Sequence, residues 1–286
     1  MSCENISWRS GQELLKQATL VEVRPGRKLR VLRQEPREPK MPTCLLVHGS
    51  AASLTQYLAL AEALKTLGYG VVCYDWLGCG LSDKPDHWES YAFDELLYDL
   101  KAIWDAKWPG KYFVVGHSFG SHLVLRLGAM LADTMLAGDT IAGLILLGAA
   151  KQFPEGHPIF RLPVFVLQWL QPSLTKAFLQ MALASNDPEL IQQETDGCNA
   201  NPMYMCKAYY RQVRNVSDDE IAKCRSLPSL LIRGGQDGIV SASDVEALAV
   251  AMPLAQMKTV ANAGHVPMLE EPGKVAELID EFIKSI

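Results

Sequence analysis

Val114-Val115-Gly116-His117-Ser118-Phe119-Gly120-Ser121-His122 sets a polar serine between two glycines where an apolar strand runs out. Tyr112 to Val115 has the character of a buried strand, and a helical pattern follows Ser118. Gly116-His117-Ser118-Phe119-Gly120 therefore fits G-x-S-x-G in the strand–turn–helix setting that gives the pattern meaning, a sharp turn lifting a serine hydroxyl above a sheet. Without that setting it would be a Gly-rich turn and nothing more.

The surroundings repeat the alternation. Thr43–Val47, Val71–Tyr74, Ile141–Leu147, Ser229–Ile232 and Gln256–Val260 read as short apolar strands. Between them lie helical patterns at about 54–67, 91–108 and 243–252, and a last helix faces inward through Val275, Leu278, Ile279, Phe282 and Ile283. Leu20–Arg24 and Leu29–Arg33, joined through Pro25-Gly26, read as a hairpin that would form an antiparallel edge. Strands without polar alternation, separated by amphipathic helices, mean a mostly parallel sheet of about eight strands covered on both faces. Residues 151–226 interrupt the alternation with a helical, proline-punctuated stretch. The expected division is a core of residues 1–150 and 227–286, with 151–226 as a helical cap over the strand ends, where open α/β sheets bind ligands.

Composition narrows the function class. The 286 residues carry a net charge of −5, which argues against nucleic acid as the main partner. Residues 1–40 are the exception, with nine Lys or Arg against five Asp or Glu. The group Arg24, Arg27, Lys28, Arg30 and Arg33 could touch an anionic membrane surface or form the solvated face of the hairpin. Met1 to Gly11 is polar, without the apolar stretch of a secretory signal. Seven cysteines without CxxC pairs read as reduced thiols, so a cytoplasmic protein is expected. No clustered ligand spacing implies a metal, and no G-x-G-x-x-G implies a dinucleotide; no cofactor is expected.

A serine hydroxyl needs a base, and the base needs an orienting group. His265 in NAGHVPMLEEP follows the last strand, and Asp237 in RGGQDGIV follows the strand before it. Both would lie at the sheet end where Ser118 emerges, in the chain order Ser, Asp, His. Asp99 and Asp139 occupy less suitable places. The backbone amides of Ser50, after His48-Gly49, and Phe119, at the start of a helix, are the expected donors to a developing oxyanion. His48 is expected to hold its loop.

With these residues the sequence resembles the α/β-hydrolase superfamily over nearly its whole length. LLVHGSAAS resembles the oxyanion loop, YDWLGCGLSDKP the D-x-x-G-x-G-x-S turn, VGHSFGS the nucleophile elbow, and the Asp237 and His265 segments the remaining two catalytic loops. Ala51 and Ala52 stand where many relatives carry another glycine. The resemblance implies an α/β-hydrolase fold, a Ser118–His265–Asp237 triad acting on carboxylic esters through an acyl-enzyme, and a structural role for Asp75. RLPVFVLQWLQPSLTKAFL further resembles the eukaryotic abhydrolase-domain branch, which implies a lipid or other acyl ester as substrate. On the same triad a C–C bond hydrolase, an acyltransferase or a ligand receptor derived from a hydrolase stays open. Ser118 excludes the haloalkane dehalogenases and epoxide hydrolases of this fold, which use Asp at that position. Phe165 and Trp169 are the expected substrate-binding residues of the cap.

Overall fold

The computed structural model describes residues 5–134, 141–154 and 157–286. Eight strands form one sheet: β1 (Thr19–Arg24), β2 (Arg27–Gln34), β3 (Thr43–Val47), β4 (Gly70–Tyr74), β5 (Tyr112–His117), β6 (Ile141–Leu147), β7 (Ser229–Gly234) and β8 (Ala255–Val260). Their spatial order is β1-β2-β4-β3-β5-β6-β7-β8. β1 and β2 pair antiparallel, as do β2 and β4, and the other pairs are parallel. This is the α/β-hydrolase architecture, with the leading hairpin as its antiparallel edge.

Each central strand is buried on both sides because helices cover both faces. Leu45, Val47 and Val114 point to one core, shared with α2 (Phe93–Asp105) and α3 (Phe119–Thr134). Their neighbours Cys44, Leu46, Phe113 and Val115 point to the other, shared with α1 (Leu58–Leu67) and the C-terminal helix. The period of two in the strands thus sorts one apolar run into two cores. The expected helix from Leu54 begins as a 3-10 turn over Leu54–Tyr57, since Asp75 holds the Leu54 amide at 2.7 Å and fixes where the chain enters.

The arginines of the basic hairpin bond to other parts of the protein. Arg27 grips the buried Asp99 carboxylate through Nε at 2.7 Å and Nη2 at 2.5 Å, and Arg24 reaches it at 3.1 Å. Arg30 donates to the Leu15 carbonyl and Arg33 to that of Ala106. Asp99 is therefore occupied; Asp139 lies outside the described residues.

Between β6 and β7 run α4 (Val164–Ala182), α5 (Pro188–Asn199), α6 (Met203–Gln212) and α7 (Asp218–Lys223), with no strand among the described residues. β7 is followed by α8 (Ala242–Ala251), and β8 by α9 (Pro267–Glu270) and α10 (Pro272–Lys284). Among the described residues no helix is long and apolar enough to cross a membrane.

Candidate active site

Ser118 sits at the end of β5 with φ of 51°, a left-handed conformation rare for a residue with a side chain. The turn is possible because the residues two places away on either side, Gly116 and Gly120, lack side chains. A Cβ at Gly116 would meet the Ser121 backbone at 2.6 Å, and one at Gly120 would collide with the His48 carbonyl. The Ser118 amide donates to the Leu147 carbonyl across to β6, and Ser121 Oγ donates to the Ser118 carbonyl at 2.5 Å. A polar residue is thereby held in a strained turn, a cost that structures carry chiefly at functional sites.

Asp237 and His265 come together from the loops after β7 and β8. His265 Nδ1 donates to Asp237 Oδ2 at 2.9 Å, and both side chains are shut away from solvent. Asp237 Oδ1 accepts from the Ile239 and Val240 amides at 2.8 and 2.9 Å. Burial opposes charge on Asp237, but the bond from His265 and these amides outweigh it and hold the carboxyl below its usual range. Gly148 lies against the His265 ring, where a Cβ would approach it at 3.1 Å.

Gly49 brings the loop after β3 against the elbow: a Cβ there would lie 3.1 Å from that of Ser118. The amides of Ser50 and Phe119 donate to no protein acceptor among the described residues. Phe119 also opens the sixteen-residue α3, whose dipole favours negative charge at that end. Ser50, Ser118, Phe119 and His265 line one cavity of about 180 Å³. A second cavity of about 300 Å³ adjoins it, sharing Ser50, Ala51, His157, Phe178, Cys198 and Tyr210. Its further lining is mainly apolar: Ile159, Phe160, Leu174 and Met203. Burial pushes the Cys198 and Cys206 thiols up to about 12, so neither supplies a thiolate there. Among the described residues no cluster of His, Cys, Asp or Glu could hold a metal.

Phe165 and Trp169, the residues expected to bind substrate, lie on the surface of the cap. They are 72% and 80% exposed and line neither cavity. One turn apart on α4, they share its outer face, while Gln171, Leu174, Thr175 and Phe178 point to the cavity. An aromatic-rich helix with apolar residues all round does not show from its sequence which face turns inward.

Several residues at the site lie outside the sequence expectations. His117 donates from Nε2 to the His265 carbonyl at 2.9 Å, tying the elbow to the histidine loop. Glu270 accepts from the amides of Ala184, Ser185 and Gly264, each at 2.7 Å, and so pins the end of α4 beside His265. The His265 amide itself donates to the Ala182 carbonyl at 2.6 Å. Tyr210 brings its hydroxyl to Ser50 Oγ at 2.9 Å. His117 and Glu270 stood inside quoted motifs, whereas nothing local marks Tyr210. Asp75 serves structure, accepting the Leu54 and Leu81 amides. His48 donates from Nδ1 to the Gly49 carbonyl, and its Nε2 accepts from the Trp76 amide at 3.0 Å.

Burial lowers two further histidines, His48 to about 4 and His117 to about 3, the latter helped by the neighbouring His265. An unfolded histidine binds its proton near 6.5, so acid favours the unfolded chain. The stability tied to these neutral rings is complete above about pH 6.5 and is lost as pH falls toward 4 for His48 and toward 3 for His117. Thermal melts are expected to show Tm dropping steadily across that window; a constant Tm would contradict burial of the neutral rings.

Residues 44–278 match the profile described as the alpha/beta hydrolase family. The chain belongs to that family. Among curated relatives of this alpha/beta hydrolase, human Protein ABHD8 is 27% identical over 240 residues, covering 83% of the chain and 54% of that protein. The chain thus spans about half the length of this relative. AB hydrolase superfamily protein YfhM of Bacillus subtilis is 23% identical over 270 residues, covering 85% of the chain and 91% of YfhM. Among solved structures, a putative aryl esterase from Burkholderia cenocepacia superposes with a TM-score of 0.78 at 22% identity, covering 94% of this chain and 98% of that one. An esterase from Thermogutta terrifontis has the same TM-score, identity and coverage. At such identity these structures speak to the fold.

Proposed function

We propose that this alpha/beta hydrolase is a serine esterase that cleaves carboxylic esters with an apolar acyl chain. The observation that carries the reading is the enclosed Asp237–His265 pair opening onto the same cavity as Ser118, beside two unengaged amides. The fixed Nδ1–H on His265 leaves Nε2 as the basic nitrogen. Nε2 takes the Ser118 proton as Oγ bonds to the ester carbonyl carbon, and the amides of Ser50 and Phe119 receive the negative oxygen. Collapse breaks the ester C–O bond, and His265 returns the proton to the leaving alcohol. Water then repeats the sequence on the acyl-enzyme, freeing the acid and Ser118.

The adjoining apolar cavity supports the acyl chain as the substrate's larger apolar part. Each buried CH₂ is worth about 0.8 kcal/mol, so four methylenes held in the transition state raise kcat/KM by roughly two hundredfold. A p-nitrophenyl ester series from acetate upward is expected to show a rise of that order, levelling where the cavity ends. Leu174→Trp should flatten the rise and spare acetate, while Trp169→Ala should leave the profile unchanged. A preference for acetate, with no response to Leu174→Trp, would remove the acyl-chain assignment.

A further inference from the structure

The loop Gly49–Ser53, which carries the Ser50 amide, contains a second strained residue. Ala51 has φ of 55°. An L side chain disfavours that conformation by roughly five- to thirtyfold, whereas glycine enters it freely. The core secures the ends of the loop, through the His48 ring at one side and the Asp75 carboxylate on the Leu54 amide at the other. Its middle is held from the insertion. Asn201 Nδ2 donates to the Ala51 carbonyl at 2.6 Å. Tyr210 bonds Ser50 Oγ at 2.9 Å, and its ring stacks on Phe160 with centroids 4.5 Å apart.

Asn201 is itself fixed. It is 2% exposed, between α5 and α6, and its carbonyl accepts from Gln171 Nε2 of α4 at 3.0 Å. Its Oδ1 is buried without a protein partner among the described residues, and its Nδ2 donates to Ala51. One more link crosses the same gap: Gln56 Nε2 donates to the buried Glu194 of α5 at 2.6 Å.

We propose that the helical insertion positions the oxyanion loop, with Asn201 and Tyr210 holding Ala51 and Ser50 so that the Ser50 amide faces the cavity. Both are positioning residues. A loop with alanine at this place relaxes unless something outside it accepts the strain, and the two side chains are what the structure puts there. The consequence for catalysis rests on the esterase reading; the clamp itself does not. Misplacing a reacting group by about 1 Å can cost on the order of 10² in rate.

The test compares wild type with Asn201→Ala, Tyr210→Phe, Ala51→Gly and the double variant Asn201→Ala/Ala51→Gly. Hydrogen exchange read by mass spectrometry over residues 48–56 reports the loop whether or not the protein turns over. The rate of Ser118 labelling by a fluorophosphonate reports its placement. Asn201→Ala is expected to speed exchange in the loop and to slow labelling by about tenfold or more. Adding Ala51→Gly should recover at least about fivefold of that loss, since glycine enters the left-handed state without strain. Tyr210→Phe should act in the same direction with a smaller loss, and carries the comparison if Asn201→Ala does not fold. Unchanged loop exchange in both Asn201→Ala and Tyr210→Phe would overturn the clamp. Faster exchange with unchanged labelling, or no recovery on adding Ala51→Gly, would overturn the positioning role. Faster exchange in a protein whose Ser118 never labels would instead defeat the esterase reading and leave the clamp standing.

Discussion

Ser118→Ala is expected to lower kcat on a p-nitrophenyl ester by about 10⁶-fold and to leave the protein folded. The change removes one oxygen from a residue that is 8% exposed and faces the cavity. Alanine is no more strained than serine at φ of 51°. Gly49, Ser50 and Phe119 stay in place, so the residual rate should be that of substrate binding and the two amides alone, about 10³–10⁴ over water. KM should change little, because Oγ matters only once it bonds to the carbonyl carbon. Steady-state kinetics with a thermal melt on the same sample separates lost chemistry from lost fold. A loss under about a hundredfold would mean that another group attacks.

Asp237→Asn should lower kcat by about 10⁴-fold, for a reason visible in its contacts. One carboxylate oxygen accepts the Ile239 and Val240 amides, and the other accepts His265 Nδ1–H. Asparagine must keep its carbonyl on the two amides, which turns its NH₂ toward His265. The imidazole is then driven to the tautomer with Nε2 protonated, and it cannot take the Ser118 proton. Asp99 offers no substitute, since Arg24 and Arg27 hold it. A loss under tenfold would mean that another acid orients His265.

The sheet was legible in the sequence because its strands are short, apolar and separated by helices with one inward face. Gly116, Gly120, Asp237 and His265 were legible because their surroundings are local: a turn of fixed shape, or a loop that follows a strand. What stayed hidden depends on contacts distant in sequence. Tyr210 meets Ser50 across 160 residues and Asn201 meets Ala51 across 150, and no local pattern announces either pairing. The exposed placement of Phe165 and Trp169 was hidden for a different reason. Hydrophobicity shows that α4 has apolar surface to bury, but only packing against α5 and α6 decides that Leu174 and Phe178 turn inward. Ala51 lay in plain view as a departure from glycine, yet its meaning needed the backbone angle and the side chain that holds it.

The proposal stands or falls on whether Ser118 is a nucleophile activated by His265. Fluorophosphonate labelling followed by peptide mapping asks this without any knowledge of the natural substrate. One adduct per chain, on Ser118, lost in Ser118→Ala and strongly slowed in His265→Ala, is the expected result. An adduct on Ser50, Ser53 or Ser82, or labelling of Ser118 at the same rate without His265, would contradict it.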